Sequence, residues 1–249
     1  MFFADIHCHI LACTDDGPGS VEEMYALTDA VYRDGTRLLC LTPHYHPGYY
    51  DDNTTRFAEA TALLSTYTQK KYPDLHLLPG NELHYSPGCL CWLANRNCRT
   101  IGNTRYILVD FTADSAAEYI IHGLHQLLNR GFTPILAHTE RYSSLHLSHL
   151  ESLKRNGILF QLNADSFLSR RNFFQYRRAS TILRKELADF VASDAHDTLL
   201  RPPHMTAAYH YLTQKYSIAY ADFLCWHHAV SLFLPSDTER SKMWKQTIH

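Results

Sequence analysis

Seven short apolar runs alternate along this chain with longer segments of helical periodicity, and this alternation restricts the fold more than any other feature. Strand and helix repeats with short connections favour parallel strands joined by crossover helices. The sequence therefore predicts an α/β fold. The predicted strands are Phe2–Ile6, Leu38–Thr42, Leu75–Leu78, Tyr106–Phe111, Thr133–Ala137, Ile158–Leu162 and Phe190–Ala192.

The predicted helices have apolar residues three and four positions apart. The first opens with a capping box formed by Ser20 and Glu23 and ends near Gly35. No linker rich in Ser or Gly divides the chain, so residues 1–249 are expected to form a single domain. The other helices are predicted to run from about Thr54 to Tyr72, Ala116 to Arg130, His146 to Arg155, Asn172 to Glu186 and Pro203 to Tyr216.

Polar side chains follow nearly every predicted strand, and they indicate how the sheet is closed. In an open sheet, strands about 4.8 Å apart would spread these side chains along one edge. A closed parallel barrel brings the carboxyl ends of its strands to one face, where catalytic groups lie. We therefore expect a distorted (β/α)7 barrel with its active site at that face. The side chains are His7, His9, His44, Glu82, Asp110, His138, Asp194 and His196.

These side chains have the chemistry of a metal centre. His7 and His9 project from the same side of an extended chain, so both imidazoles can bind one ion. Asp15 and Asp16 follow in a loop that turns at Gly17. Mixed imidazole and carboxylate ligands suit Mn, Fe, Zn or Co better than Ca or Mg alone. Because the candidate ligands exceed the needs of one ion, the set predicts two or three divalent ions.

Each of these motifs is weak when it stands alone. A single His-x-His, an Asp-Asp-Gly turn or a Glu at a strand end has a chance of about one in ten of binding metal. Their recurrence at successive strand ends favours a metal centre. Clustered divalent ions generate hydroxide and stabilise phosphoryl transfer, so the cluster predicts a phosphoester hydrolase. Arg141 and Arg201 stand near these motifs and suit a phosphate, with a surface ion pair as the alternative for each.

Composition excludes several other classes of protein. A formal net charge of −2 without long runs of like charge argues against a nucleic-acid partner. The chain contains no run of 18 apolar residues, so no membrane span is predicted. Its first residues do not resemble a secretory signal. Seven cysteines without a Cys-x-x-Cys pair favour a reduced protein, so a cytoplasmic location is expected. No Gly-rich phosphate loop, Gly-x-Ser-x-Gly elbow or Cys-x5-Arg signature is present.

Six motifs in order along most of the chain resemble those of the polymerase and histidinol phosphatase (PHP) superfamily. The long first motif, which runs into Asp-Asp-Gly-Pro, resembles one branch in particular. That branch is the manganese-dependent protein-tyrosine phosphatases of bacterial capsule and exopolysaccharide clusters. The motifs are Asp5-Ile-His-Cys-His-Ile-Leu, Asp15-Asp-Gly, Thr42-Pro-His44, Leu78-Pro-Gly-Asn-Glu82, His138-Thr-Glu-Arg141 and Ala192-Ser-Asp-Ala-His196.

The resemblance implies a distorted barrel that holds three metal ions, with Mn as the expected metal and Fe, Zn, Co or Mg as alternatives. It implies that Arg141 and Arg201 grip the substrate phosphate while a metal-bound hydroxide attacks phosphorus directly. The implied ligands are His7, His9, Glu82 and Asp194 for the first ion, Glu82, Asp110 and His138 for the second, and Asp16, His44 and His196 for the third.

The implied substrate is protein phosphotyrosine, typically in the tail of a cognate bacterial tyrosine kinase. Asp110 stands where the family has a glutamate, and His84 replaces an arginine. These departures keep two alternatives open: a phosphatase of histidinol phosphate or another small molecule, and a metal-binding adaptor without turnover. The segment Phe223–Leu234 is predicted to be a helix that seals the bottom of the barrel, with an oligomer contact as the alternative.

Overall fold

The computed structural model describes residues 1–50, 53–95 and 97–234, and there the predicted alternation of strands and helices is confirmed. The domain prediction for residues 1–249 includes 51, 52, 96 and 235–249, which lie outside the described residues. The strands are β1 (Phe3–Cys8), β2 (Thr36–Leu41), β3 (His44–Tyr45), β4 (His76–Pro79), β5 (Glu82–His84), β6 (Tyr106–Asp110), β7 (Thr133–Leu136), β8 (Leu159–Asn163) and β9 (Phe190–Ala192).

The longer helices lie where the sequence predicts them, within about two residues at each end. Two short helices, Cys89–Ala94 after β5 and Ile218–Asp222 before the C-terminal segment, were not predicted. No helix in the described part of the chain has the length and apolar character needed to cross a membrane. The helices are α1 (Val21–Arg33), α2 (Asn53–Lys71), α3 (Cys89–Ala94), α4 (Ala117–Asn129), α5 (Leu147–Arg155), α6 (Phe173–Arg184), α7 (Met205–Lys215), α8 (Ile218–Asp222) and α9 (His228–Phe233).

All the strand pairs are parallel, as predicted. β1, β2 and β4 form one sheet, and β3, β5, β6, β7, β8 and β9 form a second sheet in that order. β3 follows β2 after Thr42 and Pro43, and β5 follows β4 after Gly80 and Asn81, so each continues the course of a predicted strand into the second sheet. With these two continuations, the nine strands occupy seven positions around the barrel.

The barrel closes between the first and last strands. The amide of Asp194, just after β9, donates to His7 O at 2.8 Å, and the amide of His9 donates to Ala195 O at 2.9 Å. These bonds join the carboxyl ends of β1 and β9. The distorted (β/α)7 barrel predicted from the sequence is confirmed.

Two strand ends differ from the prediction. His44 and Glu82 are predicted to follow their strands, but they lie within β3 and β5. Pro43 has no amide hydrogen to donate to a neighbouring strand, so the ladder is interrupted between β2 and β3. Beyond the interruption, Glu82 N donates to Pro43 O at 3.1 Å and pairing resumes.

The predicted capping box of α1 is only half formed. Ser20 Oγ accepts from Glu23 N at 3.1 Å, as the motif requires. The Glu23 carboxylate, however, accepts from Gly19 N at 2.7 Å rather than from the Ser20 amide. The helix still begins at Val21, because one side-chain cap already satisfies an end amide.

The C-terminal helical segment closes the barrel at the amino ends of the strands. Trp226 and Phe233 pack in one apolar cluster with the inward-facing residues of the strands, including Ile6 of β1. The Phe233 ring lies 5.6 Å from Tyr106 and 5.9 Å from Phe190, the first residues of β6 and β9. The predicted seal of the barrel bottom is confirmed, and the opposite face is left for the polar side chains.

Candidate metal centre

The carboxyl ends of the strands bring the nine predicted metal ligands to one face of the barrel. His138 and Asp194 have left-handed backbone conformations, with φ of 32° and 53°. Such a conformation costs about 1–3 kcal/mol and persists where surrounding contacts fix it, often at functional sites. The possible ligand atoms form three groups, each within 4.8 Å: His7, His9 and Asp194; Glu82, Asp110 and His138; and His9, Asp16, His44 and His196.

His7 and His9 present their Nε2 atoms to a common point. His7 Nδ1 donates to Gln161 Oε1 at 3.2 Å, and His9 Nδ1 donates to Asp15 Oδ2 at 2.6 Å. These bonds fix the tautomer in which each Nε2 carries a lone pair for a metal. The two Nε2 atoms are 3.0 Å apart, and each lies 3.3 Å from Glu82 Oε2.

Glu82 lies at the centre of the cluster, and its side chain is 1% exposed. Its Oε1 lies 2.9 Å from His138 Nε2, and its Oε2 lies 2.9 Å from His44 Nδ1. Because its two oxygens face different groups of ligands, Glu82 has the geometry of a bridging carboxylate.

The third group lies on the solvent side of the cluster. Asp16 Oδ1 lies 3.2 Å from His196 Nε2 and 3.5 Å from His44 Nε2, and the Asp16 side chain is 44% exposed. His196 Nδ1 donates to Asp194 O at 2.9 Å, which directs its Nε2 towards Asp16. The His196 ring also stacks on His9, with ring centroids 3.8 Å apart.

The two departures from the family motifs are in direct contact. Although its side chain is short, Asp110 lies within the 4.8 Å group that includes Glu82 and His138. His84 Nδ1 lies 3.2 Å from both carboxylate oxygens of Asp110, and His46 stacks on the His84 ring at 4.1 Å. His84 therefore orients the carboxylate that the second group contributes.

The electrostatics of the cluster follow from charges packed together away from water. Burial alone would lower the pKa of His7 and His9, but the neighbouring carboxylates outweigh burial and raise the pKa of both. Burial would raise the pKa of Glu82, yet the imidazoles around it, His7 foremost, hold that pKa well below its ordinary value. Burial and the charge of His9 lower the pKa of His196 to about 4.

This donor set fits divalent cations. Two buried atoms of the cluster, Glu82 Oε2 and His196 Nε2, have no hydrogen bond of good geometry among the described residues, although His44 Nδ1 and Asp16 Oδ1 lie only 2.9 and 3.2 Å from them. Buried polar atoms are rarely left without partners, because the loss of hydration is costly. Imidazole nitrogens and carboxylate oxygens that converge in this way suit Mn, Fe, Zn or Co. Cations among them would satisfy both atoms and neutralise the carboxylates.

Arg141 and Arg201 lie at the rim of the cluster and share one partner. Arg141 Nη2 donates to Asp194 Oδ2 at 2.7 Å, and Arg201 Nη2 donates to Asp194 Oδ1 at 3.0 Å. Their side chains are 33% and 38% exposed, whereas that of Asp194 is 4% exposed. Arg141 thus pairs with a buried carboxylate, whereas Arg201 Nη1 also lies 3.4 Å from Oδ2 of the exposed Asp16 side chain, an ion pair of the surface kind considered as the alternative. Both are positioned where an anion above the cluster would meet two guanidinium groups.

Three residues that orient the predicted ligands were missed by the sequence analysis. Asp15, which was noted only as part of a turn, accepts a hydrogen bond from His9 Nδ1 and so orients that ring. Gln161 Oε1 accepts from His138 N at 2.7 Å as well as from His7, and Asn163 Nδ2 donates to Asp194 Oδ2 at 2.6 Å. β8 ends without a His, Asp or Glu, and its two amide side chains occupy the corresponding place. In the sequence, these residues could have been found from their position, because Gln161 and Asn163 stand two positions apart at the end of a strand and so face the same side.

Relatives of known identity share this chain over most of its length. Residues 3–233 match the family model described as capsular polysaccharide synthesis, CpsB/CapC. Tyrosine-protein phosphatase CpsB of Streptococcus pneumoniae is 32% identical over 219 residues, which cover 85% of this chain and 90% of that protein. Tyrosine-protein phosphatase CpsB of Streptococcus agalactiae serotype III (strain NEM316) is 30% identical over 235 residues, covering 92% and 97%.

The fold agrees with a solved structure of the same kind of protein. The match is to the crystal structures of YwqE from Bacillus subtilis and CpsB from Streptococcus pneumoniae, described as unique metal-dependent tyrosine phosphatases. The TM-score is 0.84 at 29% sequence identity, over 93% of this chain and 94% of the matched chain. This match confirms the predicted PHP-type barrel. With 231 consecutive positions matched by the family model, the chain belongs to the CpsB/CapC family of capsular polysaccharide synthesis.

Proposed function

We propose that this chain is a metal-dependent tyrosine-protein phosphatase of capsule or exopolysaccharide synthesis. The observation that carries the proposal is the convergence of three ligand groups on Glu82 beneath Arg141 and Arg201. The CpsB relatives are tyrosine-protein phosphatases, and the solved YwqE and CpsB structures are of metal-dependent ones.

Three divalent cations, with Mn as the first candidate and Fe, Zn, Co or Mg as alternatives, would be held by the nine ligands. Bound there, the cations would supply a nucleophile from water at neutral pH and neutralise charge on the phosphoryl oxygens. Gln161 and Asp15 keep His7 and His9 in the tautomer that binds metal. The ligand sets proposed are His7, His9, Glu82 and Asp194; Glu82, Asp110 and His138; and Asp16, His44 and His196, and the three groups of converging ligand atoms support them.

Arg141 and Arg201 are the groups proposed to bind the substrate phosphate. Each has a planar array of donors that matches phosphate oxygens, and each is already held at the rim by Asp194. On substrate binding, some of their N–H groups would donate to phosphate while Asp194 keeps both side chains oriented. The chain thus fixes the phosphorus atom above the cluster.

A cavity beside Arg141 suits the phenyl ring of phosphotyrosine. Its volume is about 410 Å³, and its lining includes Tyr49, His84 and Phe111. Aromatic walls favour a flat ring, and the polar ends of such side chains orient it. The proposed substrate is therefore phosphotyrosine in a protein, in particular the tail of a bacterial tyrosine kinase.

We place this activity in the cytoplasm. All seven cysteines are free thiols, and five of them are buried. Free cysteines in this number are typical of a reducing compartment. The substrate tail of a kinase that faces the cytoplasm would be accessible there.

The test combines metal analysis with a hydrolysis screen of the purified full-length protein. We expect bound divalent metal, turnover of phosphotyrosine peptides that depends on added Mn²⁺, and little turnover of histidinol phosphate. Efficient histidinol phosphate hydrolysis without phosphotyrosine hydrolysis would replace the proposal with a small-molecule phosphatase. Bound metal with no hydrolysis of any aryl phosphate would indicate an adaptor instead.

Arg201→Ala separates phosphate binding from metal binding. The variant should lose roughly 2–4 kcal/mol of transition-state stabilisation, because one array of donors to the phosphate is removed. At saturating Mn²⁺ its metal content should match that of the wild type, since Arg201 orients two of the proposed ligands but is not itself one. The value of kcat/KM for an aryl phosphate and metal analysis measure the two effects, and an unchanged kcat/KM would remove Arg201 from the proposed site.

A further inference from the structure

We propose that a surface on α6 and the loop before Arg201 binds an acidic segment of the substrate protein beside its phosphotyrosine. This inference rests on the proposed phosphatase function and extends it to the choice of substrate. The surface, called here the α6 surface, consists of Arg170, Arg171, Phe173, Phe174, Arg177, Leu199 and Leu200.

The α6 surface is strongly basic in a chain whose net charge is −2. Residues 168–185 contain six arginines or lysines and no aspartate or glutamate. Arg178 has a structural role, because its guanidinium donates hydrogen bonds to Glu140 O and Leu145 O. In contrast, none of the ion pairs found within residues 1–50, 53–95 and 97–234 includes Arg170, Arg171 or Arg177. Their charges are available to an acidic partner.

Large apolar side chains are exposed among these charges. Phe174 is 80% exposed, Leu199 86% and Leu200 89%. Single exposed apolar residues are common, but a group of them bordered by arginines is typical of an interaction surface. Aromatic residues and arginine are also the types enriched at protein interfaces.

The α6 surface contains two recesses that can accept side chains of an extended segment. One, of about 310 Å³, is lined by Phe174 and Arg177 together with Leu147 and Leu150 of α5. The other, of about 480 Å³, lies between the amino end of α6 and the loop before Arg201. Its lining includes Arg171, Asn172, Gln175 and Leu200. Each recess thus contains an arginine that forms no ion pair in the described structure. The first recess has an apolar wall, whereas the second is mainly polar and also contains the carboxylate of Asp165.

The α6 surface is connected to both proposed phosphate-binding arginines. Leu200 directly precedes Arg201, so the second recess adjoins the rim of the metal cluster. The contacts of Arg178 with Glu140 O and Leu145 O, at 3.1 and 3.0 Å, tie α6 to the turn that carries Arg141. With the phosphate between the two arginines and the phenyl ring in the cavity beside Arg141, residues that flank the phosphotyrosine would reach these recesses across the rim.

A protein segment fits the α6 surface better than a lipid surface does. A membrane would contact the protruding Phe174, Leu199 and Leu200 but would leave the two recesses empty, whereas a polypeptide segment fills both beside the proposed phosphate-binding rim. The charge complementarity selects acidic residues, with apolar residues between them to fill the recesses. Anionic vesicles are therefore a control and not the expected ligand.

The experiment compares two full-length variants of equal charge change. Arg171→Glu/Arg177→Glu alters one arginine of each recess. Arg130→Glu/Arg155→Glu alters exposed arginines at the ends of α4 and α5, on the side of the barrel away from the site. The substrates are a phosphotyrosine peptide with acidic and apolar flanks, the same peptide with neutral flanks, and p-nitrophenyl phosphate.

We expect the α6 variant to raise KM for the acidic peptide by about tenfold and to weaken its salt dependence, with kcat little changed. The rates with the neutral peptide and with p-nitrophenyl phosphate should stay within about twofold of the control variant. Fluorescence anisotropy with a non-hydrolysable phosphotyrosine analogue in the acidic peptide should show the same loss of affinity.

Equal KM values of the two variants for the acidic peptide would overturn the inference while leaving phosphatase function intact. Vesicles of phosphatidylglycerol provide a second test. If the control variant binds them, the α6 variant does not, and the peptide kinetics of the two are equal, the inference is overturned and the ligand of the α6 surface is a membrane. An inactive wild-type protein, by contrast, would refute the proposed function itself.

Discussion

Several hydrogen bonds fix the position of the Asp194 side chain at this site. Its backbone is left-handed, with φ of 53°, and its carboxylate accepts from Arg141, Arg201 and Asn163. Its Oδ1 also lies 3.3 Å from His7 Nε2. These contacts offset the conformational cost of about 1–3 kcal/mol and leave the carboxylate one orientation, between the metal ligands and the rim.

Asp194→Asn keeps the shape of this side chain and removes its charge. We expect turnover of an aryl phosphate to fall by about a hundredfold or more and the bound metal content to decrease. The measurement is the rate as a function of Mn²⁺ concentration together with metal analysis. Asp114→Asn, at an exposed position that belongs to none of the three ligand groups, is the matched control. Near-normal rates in Asp194→Asn would contradict the assignment of Asp194 as a ligand.

His84→Ala tests whether this histidine positions Asp110. Without the bond from Nδ1, the Asp110 carboxylate is free to rotate away from Glu82 and His138. The affinity for one cation should then fall by about 10–100-fold, as judged by metal titration calorimetry. His84→Gln should restore part of that affinity, because its amide can donate. His46→Ala, which removes the ring stacked on His84, should bind metal normally; equal losses in both variants would indicate a general structural effect.

The sequence predicted the ligands better than the residues that orient them. A ligand such as His138 stands directly after an apolar run, where the position itself is the signal. The contact between His7 and Gln161 joins residues 154 positions apart, and only the closed barrel brings them to 3.2 Å. The partnership of His84 with Asp110 was likewise hidden, because each residue was judged separately against the family motif.

At the level of elements, the loops after the strands fix the geometry of the site. The loop after β1 is tied to β3 through one carboxylate. Asp15 Oδ2 accepts from both His9 Nδ1 and the His44 amide, and Asp15 Oδ1 accepts from Gly17 N at 3.0 Å. This arrangement carries Asp16 to the solvent side of the cluster.

Gly17→Ala should disturb that loop. A Cβ at this position would collide with His9 O, so the chain that carries Asp16 must shift. We expect a loss of about 1–3 kcal/mol in unfolding free energy and weaker binding of one cation. Gly19→Ala, in the same loop, places its Cβ 3.4 Å from the end of the Glu23 side chain and should be tolerated. Denaturant titration and metal titration of both variants measure these effects, and equal stability of the two would refute the collision.

The helices and seven strand positions were predictable because their periodicity extends over many residues. The shorter features were not. β3 and β5 have two and three residues, too few to show a period, and Pro43 and Gly80 precede them as apparent strand ends. The Glu23 side chain had two amides within reach, and the sequence could not decide between Ser20 and Gly19.

At the level of the whole molecule, the two ends of the barrel have opposite chemistry. One end is sealed by apolar side chains such as Phe233, while the other gathers buried carboxylates and imidazoles. Cations bound at the second end would stabilise the folded state by mass action, because the unfolded chain lacks the assembled site.

Removal of metal should therefore lower Tm. With cations at about a hundred times their Kd, each site contributes about 2.7 kcal/mol, which corresponds to a decrease of roughly 5–10 °C for each cation removed by the chelator. Circular dichroism with a chelator, followed by readdition of Mn²⁺, measures the change. The Asp194→Asn variant should show a smaller difference. A Tm that is the same with and without chelator would mean that the cluster holds no cation in solution.

The junction between β1 and β9 has a consequence for the folding of the chain during its synthesis. The ligands run from His7 to His196, and the amide of Asp194 makes the bond that completes the ring. A nascent chain that has not yet emerged past β9 lacks both a set of ligands and the strand against which β1 closes. Catalytic competence is thus acquired in one late step of translation, and premature termination products are expected to be inert.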